Sequence, residues 1–313
     1  MATYAAKLRS TGIDNATVKL NADGQLVAGG AREPFSAAGG LIPSVFYVDG
    51  NVVNSGDGFT WDTAKKTLAE GLAAAHLYQT TSSNRAWAHR ATVYVAGDDL
   101  DEDLTKFAEK TDVIGVGSDD GNKGPRILGN HVLEAATEDT YAGCRFINMT
   151  FKPEASGPVV TIPTGQHGIE FHYSKWEWAA ASTTGILITA SLDMVVDNCR
   201  FVKGSGTGFS TGAISIGAGA ASQTIITNSY IDANVGITLN ASTTGEGILI
   251  QNNTVIAVGV TIDDNSDLAY VIDNRCISEG TLGANSYDFS LAKSAGNIVT
   301  GSDNTLDVPI KAV

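Results

Sequence analysis

The sequence predicts an all-β protein folded as a single-stranded parallel β-helix, preceded by an N-terminal arm and a capping helix. Three observations support this prediction. An eight-residue phrase recurs six times, its apolar residues alternate with a period of two, and the 313 residues include 35 glycines. A repeat period in the twenties is typical of stacked-coil architectures, and a spacing of two indicates a strand rather than a helix.

The repeated phrase has the pattern apolar-x-apolar-x-Asn-x-x-apolar. Its copies are CRFINMTF, IEFHYSKW, MVVDNCRF, TIITNSYI, ILIQNNTV and AYVIDNRCI, and the Asn-like position recurs at spacings of 25, 25, 30, 24 and 22 residues. We align the last copy so that Tyr270 and Ile272 point inward and Asn274 is the Asn-like residue. A second short apolar run follows each phrase, for example PVVTI and GILIT. Each coil should therefore contain two or three short strands.

The asparagines of the phrase predict a ladder along the helix axis. Asparagine tolerates unusual backbone angles in sharp turns, and stacked strands repeat every ~4.8 Å, so side-chain amides at one position can bond from coil to coil. Tyr173 occupies this position in the second copy and should interrupt the ladder. The predicted ladder consists of Asn148, Asn198, Asn228, Asn252 and Asn274.

The first segment, residues 1–44, is predicted to be an arm that anchors the protein. ATVKLNADGQLVAGG should form a hairpin around Asp23 and Gly24, and AREPFSAAGG has the composition of a linker. Termini of this kind are mobile unless something holds them. We therefore expect the arm to dock on the assembled protein or on a larger particle.

Residues 45–90 are predicted to form a strand, a turn-rich loop and a helix, with Thr60 or Asp62 as the helix N-cap. The buried face of the helix should carry Leu68, Leu72 and Ala75, with Lys65, Lys66 and Glu70 outside. The open end of a solenoid exposes its core and needs a cap, which this helix can supply. Residues 91–313 should hold the coils, from ATVYVAG to closing strands in DFSL, GNIV and TLDVPIKAV.

Several of these elements together resemble a known family. The pattern YVD-x-N…DG…W-x-x-A-x-x-T, the capping helix, the DVIGVG coil and the Asn-bearing coils are similar to pectate-lyase-type right-handed β-helix proteins. The version with GDDLDEDL before the DVIGVG coil resembles structural proteins of tailed phages, particularly marine ones. The resemblance covers roughly residues 46–299. It implies a right-handed coil, a place on a virion and assembly as a trimer.

One pair of carboxylates is a candidate for catalysis. A glycosidase needs two carboxyl groups about 5 to 9.5 Å apart, and Glu170 and Asp197 should lie on the outer face in adjacent coils, roughly 8 Å apart. In an inverting mechanism Asp197 would be the base and Glu170 the acid, with His172 beside Asp197. Two such carboxylates also occur by chance on an acidic protein, so a solvated surface is the competing interpretation.

An apolar stripe on the same face is a candidate contact surface. Val195, Ile225, Leu249 and Val271 are assigned to consecutive outward positions, a span of about 15 Å. Apolar patches of this length often mark contact sites, although a loop of the same chain could cover it. Packing against a twin chain is the alternative, since closed symmetric homo-oligomers are common. The resemblance makes a homotrimer the expected assembly.

Composition disfavours several partners. The formal net charge of -14 and the lack of a basic run argue against nucleic acid, and no stretch approaches the roughly 20 apolar residues of a membrane span. The N-terminal MATYAAKLRS lacks the apolar core of a signal peptide, so we expect synthesis and assembly in the host cytoplasm.

No cofactor or metal site is predicted. Three acidic runs, GDDLDEDL, SDDGN and DDNSD, are the Ca²⁺-like clusters, but none has the EF-hand pattern, and solvated turns are the simpler interpretation. Cys144, Cys199 and Cys276 are too scattered for a disulfide framework, and the five histidines share no metal spacing.

These observations lead to three functional hypotheses. The first is a non-enzymatic virion structural protein, a homotrimer on the virion surface that decorates the capsid or forms a head or tail projection, with major capsid or other virion proteins as partners. The second is a virion-borne polysaccharide depolymerase that uses Glu170 and Asp197. The third is a module that binds a cell-surface glycan without turnover. Repetition builds length and rigidity, whereas chemistry needs departures from repetition, which favours the first hypothesis.

Overall fold

The structure is a computed structural model. It describes residues 6–7, 17–20, 26–29, 45–81, 90–117, 125–135, 142–178, 182–204, 208–266, 268–279, 287, 293–301 and 306–307. The chain divides into two compact units, residues 1–44 and 45–313. In the first, Thr17–Leu20 pairs with Leu26–Gly29 in the predicted antiparallel hairpin, and Ala6–Lys7 adds a third antiparallel strand. The linker AREPFSAAGG lies outside the described residues.

The second unit is a right-handed parallel β-helix built of three sheets, as the sequence predicts. Sheet 1 contains Val45–Asp49, Ala91–Ala96, Thr111–Gly115, Arg145–Ile147, Glu170–His172, Val195–Asp197, Ile225–Thr227, Ile248–Gln251, Ala269–Ile272 and Lys293–Ala295. Sheet 2 contains Asp99–Asp101, Arg126–Leu128, Thr150–Lys152, Lys175–Glu177, Arg200–Val202, Tyr230–Ala233, Thr254–Ala257, Arg275–Ser278, Ile298–Thr300 and Leu306–Asp307. Sheet 3 contains His131–Val132, Gly157–Ile162, Ser182–Ile188, Gly212–Ile216, Ile237–Leu239 and Ile262–Asp264.

Within these sheets only the last pair of sheet 2 is antiparallel, where Leu306–Asp307 returns along Val299 and Thr300. This pair and Lys293–Ala295 fall in the predicted closing region, whereas DFSL lies outside the described residues. A small two-stranded sheet of Gly219–Ala220 and Thr243–Thr244 joins two neighbouring turns.

Sharp corners separate the sheets, and the left-handed backbone marks them. After each of six successive sheet 1 strands stands a residue with φ between 51° and 56°, namely Asn148, Tyr173, Asn198, Asn228, Asn252 and Asp273. A second such set precedes the sheet 1 strands and consists of Lys110, Gly143, Gly168, Asp193, Gln223 and Gly247. Few residues other than glycine, asparagine and aspartate adopt this conformation readily, which explains the asparagine of the repeat.

The core is a stack of aromatic and aliphatic side chains in register. Phe146 stacks on Phe171, with ring centroids 5.5 Å apart, and Trp176 lies between Phe151 and Phe201 at 5.1 and 4.6 Å. All five rings are fully buried. In the later coils isoleucine and valine replace the aromatic rings. Each large side chain contributes about 1.5–3 kcal/mol through burial, so the repeat itself supplies the stability.

The helix α1, Leu68–Thr81, packs against the first strands of sheet 1. Leu68, Leu72 and Ala75 are its buried face, as predicted. The predicted cap residue was wrong: Thr60 caps a short 3-10 helix, Trp61–Thr63, and α1 begins later. There the Thr67 hydroxyl accepts the Glu70 N–H at 3.2 Å, an N-capping contact.

The outer edge of the first strand, Val45–Asp49, is closed by the loop that follows it. Tyr47 donates its N–H to the Gly58 carbonyl at 2.8 Å and accepts the Lys65 N–H at 2.8 Å, while Asp49 donates to the Lys65 carbonyl at 2.9 Å. An open strand edge invites pairing with other chains. Segment 58–65 therefore caps the sheet edge, while α1 covers the core.

Candidate functional site

The structure brings Glu170, His172 and Asp197 together on the outer face of sheet 1. Glu170 pairs in register with Val195, and His172 with Asp197, so the two carboxylates occupy adjacent coils with the predicted offset of two residues. His172 lies between them, with Nε2 2.9 Å from Glu170 Oε2 and Nδ1 3.7 Å from Asp197 Oδ2. All three side chains are 21–24% exposed.

Glu170 is held from both sides. Arg145 Nε donates to Glu170 Oε1 at 2.9 Å, and His172 contacts the other oxygen. Partial burial raises the pKa of Glu170, but the bonds from His172 and Arg145 outweigh it, so the pKa lies below its ordinary value. The bond to Glu170 in turn raises the pKa of His172, against the effect of burial. The pair therefore favours a carboxylate and an imidazolium.

Asp197 is also stabilised as an anion. It accepts the Thr227 hydroxyl and Asn228 Nδ2 on Oδ1, and Asn198 Nδ2 on Oδ2, all at 2.8 Å. Burial raises the pKa of Asp197, but these three bonds and the nearby His172 lower it further than burial raises it. A general acid must hold a proton near neutral pH, which requires a raised pKa. Neither carboxylate has one.

The polar groups form a chain that crosses several coils. It begins at Arg145, passes through Glu170, His172 and Asp197, and continues from Asn228 to Asn252, whose Nδ2 donates to Asn228 Oδ1 at 2.6 Å. Arg145, Asn228 and Asn252 each donate to an acceptor of a neighbouring coil, whereas His172 contacts Glu170 of its own strand. Chemically, the arrangement ties adjacent coils together and neutralises charge on a partly buried face.

The apolar stripe is present with one correction. Val195, Ile225 and Leu249 are consecutive partners in sheet 1 and are half-buried. Val271 was wrongly assigned to it: Val271 stacks on Ile250 and is fully buried. Tyr270 takes the outward position, and Lys293 Nζ lies 4.6 Å from its ring centroid. We call Val195, Ile225, Leu249 and Tyr270 the apolar stripe.

The same one-residue shift corrects the asparagine ladder. Asn148, Asn198, Asn228 and Asn252 share the left-handed corner, but Asp273, not Asn274, is their counterpart in the last copy. The cause is the ambiguity of the neighbouring pairs Asn252-Asn253 and Asp273-Asn274, which align either way on residue type alone. We call Asn148, Tyr173, Asn198, Asn228, Asn252 and Asp273 the corner column. It contains one amide-to-amide bond, from Asn252 to Asn228.

A true amide ladder lies one residue further on, in the core. Asn253 donates its N–H and its Nδ2 to Asn274 Oδ1, both at 3.0 Å, and Asn274 donates the same two groups to Asn297 Oδ1 at 2.9 and 3.0 Å. Ser229 continues it by donating its N–H to Asn253 Oδ1 at 3.0 Å. We call Ser229, Asn253, Asn274 and Asn297 the buried column. The recurrence of Asn three times after a left-handed residue was the signal that could have identified it.

The acidic runs contribute to structure where the chain is described. In GDDLDEDL, Asp99 pairs with Arg126, Glu102 accepts the Leu68 and Ala69 N–H groups at the start of α1 at 2.6 and 2.8 Å, and Asp103 accepts the Asn130 N–H. In DDNSD, Asp264 accepts hydrogen bonds within its own turn, and SDDGN lies outside the described residues. Across the part of the chain that the structure describes, no group of His, Cys, Asp and Glu could hold a metal ion.

The cysteines and Trp178 are structural. Cys144, Cys199 and Cys276 are free and buried, and burial raises the thiol pKa to about 12 for Cys199 and about 11 for Cys276. The Trp178 ring packs on Gly204 and Gly208, where an added Cβ would lie 2.5 and 2.1 Å from it.

A cavity of about 360 Å³ lies between α1 and segment 103–108. Leu72, Leu104 and Phe107 make its lining largely apolar, and His76 is the titratable ring at its wall.

Comparison with known proteins leaves the fold as the firmest description. No family model matches the chain, and no curated protein matches its sequence. Among the described residues no helix is both long and apolar enough to cross a membrane.

Proposed function

We propose that the chain is a non-enzymatic structural protein of a tailed-phage particle. It is a homotrimer that decorates the capsid or forms a head or tail projection, with residues 1–44 as its anchor. The observation that carries the proposal is the outer face of sheet 1. This face has ion pairs and an apolar stripe, and neither of its two candidate carboxyl groups has the raised pKa of a general acid. The virion origin comes from the resemblance of the capping region and the acidic run to phage proteins.

The candidate catalytic group supports a structural role through its charge state. Glu170 has Arg145 on one oxygen and His172 on the other, and an inverting hydrolase needs one of its carboxyl groups protonated. The geometry lowers the pKa of both carboxyl groups and raises the pKa of His172, chiefly through its bond to Glu170. Such a group stabilises the stack of coils.

The apolar stripe supports self-association. Its four side chains stand on consecutive coils, over about 15 Å, and remain partly exposed. A repeated stripe on one face suits packing about a rotation axis, because every chain presents the same surface to its neighbour. The major capsid protein or another virion protein would then receive the N-terminal arm, which places the β-helix on the virion surface.

The charge state of the carboxylates can be tested with the double variant Glu170→Gln, Asp197→Asn. The proposal expects this variant to fold and assemble like the wild type and to leave the depolymerisation of phage-host glycans unchanged at background level. Glycan degradation by the wild type that disappears in the variant would overturn the structural reading and establish the depolymerase.

Self-association can be tested with Ile225→Asp, Leu249→Asp. The mass in solution should fall from trimer to monomer, because two buried carboxylates per interface cost several kcal/mol. Val258→Asp is the matched control, since Val258 is apolar and 54% exposed but lies outside the stripe. An unchanged mass for the double variant would remove the stripe from the proposed interface.

Anchoring can be tested with capsids that lack this protein. The full chain should attach to them, and the chain without residues 1–44 should not. Undiminished attachment of the truncated chain, with its mass in solution unchanged, would mean that the arm is not the anchor.

A further inference from the structure

One lysine side chain lies between two carboxyl groups from other coils. Lys203 Nζ is 3.4 Å from Asp232 Oδ1 and within hydrogen-bond distance of Glu279 Oε2. Among the residues that the structure describes, Lys106 and Lys175 each contact one carboxylate, whereas Lys203 contacts two. The group therefore combines one amine with two carboxyl groups, one more than the amine needs as an ion-pair partner.

The stacking of the coils fixes this arrangement. Val202 and Asp232 are partners in sheet 2, and Lys203 donates its N–H to the Asp232 carbonyl at 2.8 Å, so the two reactive side chains start from adjacent coils. Glu279 belongs to the coil two steps further along, where its N–H donates to the Ala257 carbonyl at 2.8 Å. The lysine side chain therefore extends along the stack, past Asp232, to Glu279.

The amine and the nearest carboxyl oxygen are shielded from water. The Lys203 side chain is 13% exposed, although lysine is among the residues that are least often buried. Asp232 Oδ1 is buried and accepts no hydrogen bond from any residue that the structure describes, since its contact with Lys203 has ion-pair distance without hydrogen-bond alignment. Buried polar atoms are normally hydrogen-bonded, so the noncovalent pair leaves an unsatisfied oxygen beside the amine.

We infer that Lys203 and Asp232 form an intramolecular isopeptide bond, with Glu279 as the group that transfers a proton. Lys203 Nζ attacks Asp232 Cγ, a C–N bond forms and one Cγ–O bond breaks. Of the three ammonium protons, one stays on the amide nitrogen and two leave with the departing oxygen as one water molecule. Glu279 Oε2 accepts a proton from Nζ and returns it to that oxygen, so Glu279 is unchanged at the end.

Proximity makes this condensation feasible without an activated acid. Groups that are held in contact react with effective concentrations of about 10⁵–10⁸ M, which free amines and carboxylates in water do not reach. A lysine amine becomes a nucleophile when a neighbouring base takes its proton, and Glu279 is in contact with that amine. The low exposure of the group limits the access of the water that would reverse the reaction.

The bond would close a loop of one coil within the β-helix. A crosslink of this kind restricts the unfolded chain and so opposes unfolding. The inference goes beyond the proposed structural role and does not depend on it. It is tested on the isolated full chain, so attachment to a particle can fail without affecting it.

The test is the mass of the intact full chain, measured under denaturing conditions. The wild type should be lighter than its sequence by one water molecule, and a tryptic digest should contain a branched peptide that joins the segments of Lys203 and Asp232. The branched peptide is decisive, because imide formation at an Asp-Gly pair such as Asp49-Gly50 also releases one water molecule. Treatment with hydroxylamine opens an imide and should leave the isopeptide bond intact.

Three variants separate the roles of the residues. Lys203→Arg keeps a cation beside both carboxyl groups, but its guanidinium group stays protonated and cannot attack, so the full mass of the variant sequence should be restored. Asp232→Ala removes the carbon that is attacked and should also show its full mass. Glu279→Gln keeps the size of the side chain without a proton acceptor, so the crosslinked fraction of freshly purified protein should fall at least about tenfold.

Lys175→Arg is the matched control. Lys175 is similarly shielded, with a side chain that is 15% exposed, and it contacts the single carboxylate of Glu177 at 2.8 Å. This variant should lose one water molecule like the wild type. Circular dichroism shows whether each variant folds, and the mass and digest of the wild type decide the inference even where a variant does not fold.

Two results would overturn the inference. A wild type with its full sequence mass and no branched peptide would mean that Lys203 and Asp232 form only an ion pair. A branched peptide that persists in Lys203→Arg would mean that other residues are crosslinked. An unchanged crosslinked fraction in Glu279→Gln would contradict the role of Glu279 in proton transfer.

Discussion

Two columns of residues, one position apart in the chain, use asparagine for different physical reasons. In the corner column, Asn228 and its counterparts stand at positive φ with their side chains in solvent. In the buried column, Asn253, Asn274 and Asn297 are almost fully inaccessible, and each uses its side-chain amide to bond a neighbouring coil. Asparagine suits the corner column because its backbone tolerates a positive φ. It suits the buried column because its side-chain amide both donates and accepts hydrogen bonds.

At each corner of the stacked fold, two consecutive residues have different roles. The left-handed residue turns the chain, and the residue after it carries an N–H that bonds a side chain of the next coil instead of a carbonyl. In the earlier coils Ser174 and Ser229 accept this N–H through their hydroxyls. Since a buried donor left without a partner costs about 1–3 kcal/mol, the buried column is the more sensitive of the two.

The largest effect should follow from Asn274→Ala. The substitution removes the acceptor of two groups of Asn253 and two donors toward neighbouring carbonyls, and it leaves a cavity. We expect a loss of about 3 kcal/mol or more in the free energy of unfolding, measured by urea titration. If the free energy of unfolding fell no more than it does for substitutions at exposed positions, the buried column would not be more sensitive than the corner column.

A smaller effect should follow at Asn198 in the corner column. Asn198→Val places a β-branched side chain at φ 53° and should cost about 1–2 kcal/mol, whereas Asn198→Gly should cost a few tenths. The same urea titration measures both variants. Equal losses for valine and glycine would show that the side chain, not the backbone, matters at this corner.

The corner column should also respond to pH, since it joins the chain of polar groups at Asp197. The raised pKa of His172 means that its contribution to stability is complete below about pH 6.5 and is lost as pH rises through the raised value. The lowered pKa values of Glu170 and Asp197 mean that their contributions are present near neutrality and are lost on acidification. Stability from this group should therefore peak between about pH 5 and 6.5.

The substitution His172→Gln tests this expectation. It should reduce the change in Tm between pH 6 and pH 8.5, with an effect below about 1 kcal/mol because the group is partly exposed. Asn274→Ala should leave the pH dependence of Tm unchanged. An identical pH profile for His172→Gln and the wild type would mean that His172 does not contribute to the pH dependence of stability.

The smallest effect should be an increase in stability. Tyr173→Asn replaces a bulky residue at φ 51° by the residue that the other coils prefer there, and should stabilise the protein by less than about 1 kcal/mol. A destabilisation would show that Tyr173 makes a contact that outweighs its backbone cost. Thermal unfolding followed by circular dichroism is sufficient to decide.

The sequence was sufficient for the architecture because each element repeats its signal. The spacing of two between the apolar residues of the repeat placed Phe146, Phe171 and Val196 inward, and six copies outweighed the ambiguity of any single copy. The alignment of the last copy was wrong because a single copy is ambiguous. Asn252-Asn253 and Asp273-Asn274 offer two alignments, and only the hydrogen-bonded register of Ile250 with Val271 selects one.

The candidate site was predictable in part. The register of the strands placed Glu170, His172 and Asp197 together, as the sequence indicated. The role of Arg145 did not follow from the sequence, because the effect of Arg145 on Glu170 depends on which rotamers meet across two coils. Glu102 and the start of α1 are 34 residues apart, and no local pattern joins them.

The sequence by itself determined the repeat, its strand period, the corners and the inward core, because these depend on local backbone preference and on the alternation of apolar residues. Only the tertiary structure decided which asparagine column is buried and which carboxylates hold their charge. These properties depend on the neighbours that stacking brings within hydrogen-bond distance, and such neighbours lie 21 to 31 residues away in the chain.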